Sequence, residues 1–273
     1  MHDSTLPQVL KRSMYANKRL GQHFLHDPAI IDRIISSINP RPDDHIVEIG
    51  PGRGALTLPL AASGARLDLV ELDRTLAEAL ATHPDLAQVR VHRANALDVD
   101  YAQFADDGPF RLVGNLPYNI SSPLLFRFLE AAEHIRDMTL MLQREVVERM
   151  AASPGTRDYG RLTVMLAARC RVEKLFIVRA GAFSPPPKVE SAIVRVVPHT
   201  EPPFDPGDWN LFDKLVRAGF TARRKTLRNA LRALASAEQI EAAGIDPYTR
   251  PGTLSPADYA RLSQNLAHGA DQQ

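Results

Sequence analysis

Residues 112–118 read LVGNLPY, and the predicted fold is built around this stretch. Its apolar beginning predicts the carboxyl end of a buried strand, which is where open α/β sheets bind their ligands. The turn that follows carries useful groups, because Asn115 offers both an acceptor and a donor. Pro117 fixes the local backbone, so the carbonyl of Leu116 has a defined direction. Tyr118 adds a flat face on which a base could stack. An ordinary strand-to-loop turn is the alternative, because Asn, Pro and Gly are common in turns.

The chain on either side of this stretch alternates between strand and helix patterns. Strands are predicted at residues 45–49, 67–72, 89–92, 111–114 and 138–143, with helical patterns between them. Such alternation predicts a parallel sheet with helices on both faces. Two later β-rich runs, residues 171–178 and 192–197, are predicted to pair around the proline-rich loop 183–187.

The last quarter of the chain has a different character. Residues 198–208 contain four prolines and one glycine, which predicts a linker. Everything after this linker looks helical. We therefore expect two domains, residues 1–198 and residues 199–273, and we expect the first 20 residues to form a basic arm.

Composition excludes several classes of protein. The net charge of +1 means that any nucleic-acid-binding surface must be local. A single cysteine, Cys170, excludes an intrachain disulfide and a cysteine-based zinc site, and its apolar neighbours predict a buried thiol. The start of the chain has no apolar signal core, and no apolar run reaches transmembrane length. We expect a soluble, cytoplasmic protein with no membrane partner and no metal, since His23 and His26 have no obvious third ligand.

A glycine-rich turn follows the first predicted strand of the sheet. Residues 48–54 read EIGPGRG, and their glycines permit a tight turn and close approach of a ligand to the backbone. Glu71 ends the next strand, where a carboxylate can accept hydrogen bonds from ribose hydroxyls. The pair predicts a nucleoside site, although a purely structural turn is the alternative. NAD fits less well, because the dinucleotide fingerprint spaces its third glycine differently.

A basic row is predicted on a C-terminal helix. Arg224, Arg228 and Arg232 fall at i, i+4 and i+8 beside a stripe of leucines, with Lys225 close by. Spacing alone favours a solvated face. After a nucleotide-using domain, we expect contact with an RNA backbone instead.

Taken together, these motifs resemble the ribosomal RNA adenine dimethyltransferases, most closely the bacterial small-subunit branch. The motifs are GQHFL (21–25), EIGPGRG (48–54), ELD (71–73), NLPY (115–118), FSPPPKV (183–189) and RRKTLRN (223–229). The resemblance covers nearly the whole chain. It implies an α/β, Rossmann-like class I methyltransferase fold with a mostly parallel seven-stranded sheet and a small all-helical C-terminal domain.

The resemblance also implies the reaction. S-adenosylmethionine would donate two methyl groups to the N6 amine of each of two adjacent adenosines in the 3′-terminal hairpin loop of small-subunit ribosomal RNA. The substrate would be an immature 30S particle, the role would lie in small-subunit biogenesis, and the enzyme would be a monomer.

Site residues carry over onto the matching positions of this chain. The implied cofactor-binding residues are His23, Leu25, Gly50, Gly52, Glu71, Asn95 and Asn115. The implied catalytic residues are Asn115, Leu116, Pro117, Tyr118 and Phe183. The implied RNA-binding residues are Arg223, Arg224, Lys225 and Arg228. In this assignment Glu71 binds the ribose hydroxyls, Asn115 lies between donor and target amine, and Phe183 packs on the flipped adenine opposite Tyr118.

One position departs from the family pattern. The family usually has aspartate after the third strand, to accept from the cofactor adenine amine, whereas this chain has Asn95. Asn accepts through its oxygen but without charge. On the sequence alone, Asn95→Asp should therefore tighten cofactor binding. The alternative is that Asp98, three residues on, has taken over the role.

Three other functions remain open at this point. A non-catalytic factor that binds and checks the immature small subunit is one. A large-subunit ribosomal RNA methylase of the antibiotic-resistance type is another, although segments 183–189 and 223–229 fit the small-subunit group better. A DNA or protein-amide methyltransferase is the third, although its comparable turn often has two prolines where this chain has Leu116-Pro117.

Overall fold

The computed structural model describes residues 22–270, and strands alternate with helices through its first half. The strands are β1 (Phe24–Leu25), β2 (His45–Ile49), β3 (Arg66–Glu71), β4 (Arg90–Arg93), β5 (Phe110–Asn115), β6 (Ile135–Gln143), β7 (Cys170–Val178), β8 (Phe183–Ser184) and β9 (Ser191–Pro198). The helices are α1 (Pro28–Ile38), α2 (Thr57–Ala62), α3 (Arg74–Ala81), α4 (Ser121–Glu130), α5 (Arg144–Met150), α6 (Arg161–Arg169), α7 (Trp209–Thr221), α8 (Leu227–Ala230), α9 (Ala237–Ala242) and α10 (Pro256–Ala270). The basic arm expected over residues 1–20 lies outside the described residues.

The main sheet has seven strands in the order β4-β3-β2-β5-β6-β9-β7. The pairs from β4 through β6 are parallel, and β9 joins β6 antiparallel. The mostly parallel seven-stranded sheet is therefore confirmed, as is the pairing of the two late β-rich runs, since β7 and β9 are neighbours. Strand β2 lies between β3 and β5, so the strand order reverses there. A crevice at the carboxyl ends of β2 and β5 is the expected ligand site of such a sheet.

Helix α1 illustrates how local sequence sets an element. The Asp27 side chain accepts from the backbone N–H groups of residues 29 and 30, and proline fills the first helical position. At the other end, Asn39 adopts a left-handed conformation (φ 50°) and its N–H donates to the carbonyl of Ile35. Ile34 and Ile38, four residues apart, are each only 1% exposed. The helix therefore buries one apolar row in the core.

A glycine decides how closely the two central strands approach. Gly114 pairs with Ile49 across β5 and β2. A Cβ atom at Gly114 would lie 2.6 Å from the carbonyl oxygen of Ile49, closer than any side chain can tolerate. Glycine at this position therefore brings the two strand ends together, directly before the turn that begins at Asn115.

The chain divides into two compact units. One comprises the described residues up to Val147 together with Glu173–Pro198, and the other comprises Glu148–Val172 with the described residues from His199 onward. A division after Pro198 coincides with the expected boundary, but residues 148–172 also group with the C-terminal helices, which the sequence did not indicate. Contacts distant in sequence cause this: the Tyr159 hydroxyl donates to the carbonyl of Leu254 at 2.7 Å, and the Arg161 guanidinium pairs with Asp213 at 2.7 Å.

The predicted basic row on one C-terminal helix is wrong. Helix α8 has only four residues, so Arg224 lies in the turn before it and Arg232 lies after it. The N–H groups of Leu227 and Arg228 donate to the carbonyls of Thr249 and Pro247 rather than to a preceding helical turn. The helix therefore cannot extend backwards through Arg224.

Cys170 is 2% exposed, and burial raises the pKa of its thiol to about 12, so the expectation of a buried thiol is confirmed. Among the described residues, no helix combines the length and apolar composition needed to cross a bilayer.

Candidate active site

One pocket at the carboxyl ends of the parallel strands collects most of the predicted site residues. Its lining includes His23, Leu25, Gly50, Gly52, Glu71, Asn95, Asn115, Leu116, Pro117 and Tyr118. These residues come from five different segments of the chain. The structure does not bring Phe183 or Asp98 into the lining.

The glycine turn and Glu71 form one hydrogen-bonded unit. Gly50 and Gly52 have φ values of 64° and 57°, which side chains other than glycine rarely adopt. The Glu71 carboxylate accepts from the N–H of Gly52 at 3.1 Å and from the N–H of Asp73 at 2.8 Å. Burial raises the pKa of Glu71, while these N–H donors oppose the rise. The carboxylate has about four acceptor positions. Three backbone N–H donors, from Gly52, Leu72 and Asp73, leave Glu71 able to hold the turn and still accept from a ligand hydroxyl.

A second carboxyl group, Glu48, lies deeper in the same pocket. Its side chain is 2% exposed and accepts from the Thr57 hydroxyl at 2.7 Å. Burial raises the pKa of Glu48 to about 8, opposed by the Thr57 hydrogen bond and assisted by the charge of Glu71. At neutral pH Glu48 is therefore largely protonated and adds little negative charge to this wall of the pocket.

The orientation of the Asn115 amide follows from a single hydrogen bond. Its Nδ2 donates to the backbone carbonyl of His23 at 3.1 Å. A carbonyl can only accept, so the nitrogen must face His23 and Oδ1 must point to the other side of the amide. The partner lies 92 residues away in sequence, and no local pattern could have indicated it. Asn115 is thereby held as an oriented acceptor at the end of β5.

Tyr118 is positioned by two contacts that sequence reasoning missed. Its ring stacks on the ring of His23, with centroids 5.6 Å apart and an interplanar angle of 26°. Its hydroxyl shares a hydrogen bond of 2.5 Å with Ser191, and burial raises its pKa. The His23 Nδ1 in turn donates to the carbonyl of Pro185 at 2.8 Å. Contacts with His23 and Ser191, and through His23 with Pro185, therefore fix the position of the Tyr118 ring at the pocket.

The predicted packing of Phe183 on a base opposite Tyr118 stays a prediction, and the structure shows where the Phe183 ring lies without a base. Phe183 is 2% exposed and belongs to the apolar core cluster that includes Leu25. Strand β8 pairs with β1, with Phe183 directly opposite Leu25, and this pairing turns the phenyl ring into the core. His23, rather than Phe183, contacts the Tyr118 ring.

Asn95, which departs from the family pattern, is hydrogen-bonded to Asp98, the alternative candidate for its role. Asn95 lines the pocket, whereas Asp98 is exposed and does not. The Asn95 Nδ2 donates to the Asp98 carboxylate at 2.8 Å, and its Oδ1 accepts from the N–H of Leu97 at 3.2 Å. The amide donor therefore has the partner it needs, and Oδ1 keeps one lone pair. Asn95 and Asp98 are therefore hydrogen-bonded to each other, and of the two only Asn95 lines the pocket.

Two more residues complete the pocket wall. Leu72 is 49% exposed and lines the pocket directly after Glu71, so it offers an apolar surface to a ligand. In the sequence, this role is indicated by the position of Leu72 between Glu71 and Asp73 at the end of β3. The Arg53 guanidinium carbon lies 4.1 Å from the centroid of the Phe24 ring, which fixes a positive charge at the glycine turn. Within residues 22–270, no group of three or more His, Cys, Asp or Glu side chains is arranged to hold a metal.

The lining of the pocket suits an adenosine-containing ligand. The left-handed glycines leave backbone where a side chain would fill the space, since a Cβ at Gly52 would lie 3.3 Å from the Phe24 ring. Glu71 and Asn95 present acceptors, and Leu72 adds an exposed apolar face to the same lining. Polar groups of this kind on an otherwise apolar lining are what an adenosine-containing ligand requires.

Known proteins place this architecture in a family. The sequence model described as "Ribosomal RNA adenine dimethylase" matches residues 14–268. A protein of Marinobacter nauticus, named "Ribosomal RNA small subunit methyltransferase A", is 50% identical over 258 residues, covering 94% of both chains. A protein of the same name from Pseudomonas fluorescens is 53% identical over 254 residues, covering 92% of this chain and 94% of the relative.

Solved structures agree with the sequence relatives. A dimethyladenosine transferase from Plasmodium falciparum superposes with a TM-score of 0.76 at 25% identity, covering 91% of this chain and 98% of that one. The 23S rRNA methyltransferase ErmE superposes with a TM-score of 0.65 at 30% identity, covering 89% of this chain and 99% of that one. The fold is therefore that of a class I methyltransferase, and this chain belongs to the ribosomal RNA adenine dimethylase family of S-adenosylmethionine-dependent methyltransferases.

Proposed function

We propose that this chain dimethylates the N6 amines of two adjacent adenosines in the 3′-terminal hairpin of small-subunit ribosomal RNA, within an immature 30S particle in the cytoplasm, as a monomer. The observation that carries the proposal is the shared pocket at the ends of β2 and β5, which holds the glycine turn, Glu71 and the Asn115–Tyr118 turn. The relatives at 50–53% identity bear a small-subunit name, which supports that substrate over the large-subunit one.

In this proposal, different residues of the pocket hold different parts of the cofactor. S-adenosylmethionine supplies an electrophilic methyl group on a sulfonium when bound. Glu71 accepts from the ribose hydroxyls, Asn95 accepts from the adenine amine, and the backbone of Gly50 and Gly52 lies against the methionine part. Leu25 and Leu72 close apolar walls around these contacts. The protonated state of Glu48 keeps the pocket from carrying excess negative charge.

The target amine needs positioning rather than a strong base. Its lone pair is delocalised into the ring, so an acceptor that holds its N–H bonds favours tetrahedral geometry at nitrogen. The Asn115 Oδ1 is held as that acceptor by the hydrogen bond to His23, and the carbonyl of Leu116 is the second. Pro117 stiffens the turn, and Tyr118 offers its ring to the flipped base. In this proposal, methyl transfer is accelerated by preorganised dipoles and by alignment of the amine with the methyl group.

The decisive experiment is methylation of defined particles. Wild-type protein with labelled methyl donor and unmethylated small subunits should yield dimethyladenosine at two adjacent positions near the 3′ end of the RNA. Asn115→Ala is the matched control, since it should bind particles but transfer methyl groups about a hundredfold more slowly, or slower still. Methylation of large subunits instead would replace the proposed substrate. Binding of small subunits without transfer by the wild-type chain would favour the non-catalytic assembly factor.

A further inference from the structure

Tyr248 stands out on the C-terminal unit because it is aromatic and open to solvent. Its exposed fraction is 63%. Within the described residues, the other large hydrophobic side chains that are exposed are aliphatic: Leu72, Ile177 and Val189. A tyrosine buries its ring where it can, so a ring left this open is available to a partner that covers it.

The backbone around Tyr248 is held firmly. The carbonyls on either side of it, from Pro247 and Thr249, accept from the N–H groups of Arg228 and Leu227 at 3.0 Å and 2.8 Å. The Tyr248 N–H itself donates to the Asp246 carboxylate at 2.8 Å. These bonds clamp the loop onto the amino end of α8. The ring is therefore presented from a fixed backbone rather than from a mobile loop tip.

The ring is also held through its side chain. The Arg228 Nη1 donates to the Tyr248 hydroxyl at 3.1 Å, and the guanidinium carbon lies 5.0 Å from the ring centroid. A cation beside the ring stabilises its position through the ring quadrupole. The exposure of the ring leaves room for a second flat group. A pre-positioned ring loses little conformational entropy when such a group stacks on it.

The two segments that meet here, residues 224–228 and 246–250, carry four basic side chains and one acidic one, Asp246, which favours an anionic partner. Arg224 and Lys225 directly precede α8 and are exposed, and Arg250 follows Tyr248 by two residues and is exposed as well. Arg223 differs from them, because its guanidinium donates to the carbonyls of Thr156 and Arg157 at 2.6 Å and 2.7 Å. Its hydrogen-bonding capacity is partly spent within the fold.

We propose that Tyr248 and Arg228 form a stacking site for one unpaired nucleobase of RNA, with Arg224 and Lys225 contacting the neighbouring phosphates. Aromatic rings beside basic side chains are how proteins bind single strands without reading sequence, because every base has a flat face. A base inside an A-form helix is already stacked on its neighbours and has no face to offer. The ligand is therefore an unpaired nucleotide. The inference rests on the proposed RNA substrate and adds a contact to it.

The test compares two forms of one RNA with the full-length protein. A dye-labelled single-stranded RNA of about ten nucleotides, alone or annealed to its complement, is titrated by fluorescence anisotropy. Tyr248→Leu should weaken binding of the single strand by about tenfold and leave duplex binding unchanged, because it removes the ring but no charge. Tyr248→Phe is the matched control: it keeps the ring and should stay within about threefold of wild type. Thermal unfolding of each variant checks that the C-terminal unit remains folded.

Salt dependence separates this inference from the proposed RNA binding. Arg224→Glu with Lys225→Glu should lower the slope of log affinity against log salt by roughly one to two, whereas Tyr248→Leu should leave the slope unchanged. If the charge variants lose affinity while Tyr248→Leu binds single strands like wild type, the stacking site is wrong and the basic surface stands. If the charge variants also have no effect, the RNA-binding role of this surface fails as well. Equal loss on single strand and duplex in Tyr248→Leu would assign the residue a structural role and overturn the inference.

Discussion

The hydrogen bond between Asn95 and Asp98 changes what a substitution at residue 95 should do. Judged from the sequence alone, Asn95→Asp should tighten S-adenosylmethionine binding by about 1 kcal/mol, because a charged acceptor is stronger than a neutral one. In the structure, however, the Asn95 amide nitrogen lies 2.8 Å from the Asp98 carboxylate. Asn95→Asp would replace this donor with a second carboxylate.

The magnitude follows from that distance. Two unit charges 2.8 Å apart repel by about 1.5 kcal/mol even in a water-like dielectric, which is the appropriate limit because Asp98 is exposed. In the free protein the new carboxylate would turn away from Asp98, and binding would have to restore its position. This cost offsets the gain from the charged acceptor. We therefore expect Asn95→Asp alone to bind the cofactor no tighter than wild type, and up to about threefold more weakly.

Exchanging the two side chains should recover the gain. In Asn95→Asp with Asp98→Asn, the donor and acceptor swap places, the pair is kept and the pocket carries the charged acceptor. This double variant should bind S-adenosylmethionine about fivefold more tightly than wild type.

Calorimetric titration of wild type, both single variants and the double variant gives the coupling energy, which should be about 1.5–3 kcal/mol. Tighter binding in Asn95→Asp alone, with no further effect of Asp98→Asn, would refute the reasoning and leave Asp98 without a role. Asp98→Ala is titrated alongside them, and a collapse of its binding with Asn95→Asp neutral would instead make Asp98 the reader of the adenine.

Three further predictions follow from the same pocket. Glu71→Ala should weaken S-adenosylmethionine binding by roughly 1.5–3 kcal/mol and lower the melting temperature, because the carboxylate also holds the N–H of Gly52; unchanged affinity in calorimetry would remove it from the site. Asn115→Ala should slow single-turnover methylation by about a hundredfold or more while particle binding survives, and near-normal turnover would contradict its role as the acceptor. Glu48 should make stability fall as pH rises, because its pKa is raised to about 8 in the folded protein. The contribution of Glu48 to the free energy of unfolding is complete below the pKa that this side chain has in the unfolded protein. It is lost between about pH 5 and 8, at up to about 1.4 kcal/mol per pH unit. Urea unfolding across this range should show the loss in wild type and not in Glu48→Gln, and identical profiles would mean that Glu48 is ionised in the fold.

Much of the molecule was predictable from local sequence. The alternation of strands and helices, the cap at Asp27, the glycine turn and the two acid-bearing strand ends all depend on interactions within a few residues. Such interactions depend on the types of residues that are neighbours in the sequence. The five predicted strands before residue 144 are all present with small shifts at their ends, and the turn at Asn115 lies at the carboxyl end of β5. The family, and with it the cofactor and reaction, followed from these motifs in their order.

Other features were decided only when distant segments met. The family resemblance implies that Phe183 packs on a base, and the pairing of β8 with β1 is what buries its ring beside Leu25 in this structure. The basic row on one helix does not form, because the N–H groups of Leu227 and Arg228 find partners in residues 247–249. Neither event leaves a signal in the local pattern, since both depend on which surfaces the fold brings together.

The same division runs through the active site. Residue types and spacing specified which groups the pocket contains, including the glycines, Glu71 and Asn115. Their orientation came from tertiary contacts: the amide of Asn115 is turned by a carbonyl 92 residues earlier, and Tyr118 is held by His23 and Ser191. The reason is physical. A side chain's chemistry belongs to the residue, whereas the direction of a hydrogen bond depends on where its partner lies, and for these residues the folding of the sheet alone supplies that partner.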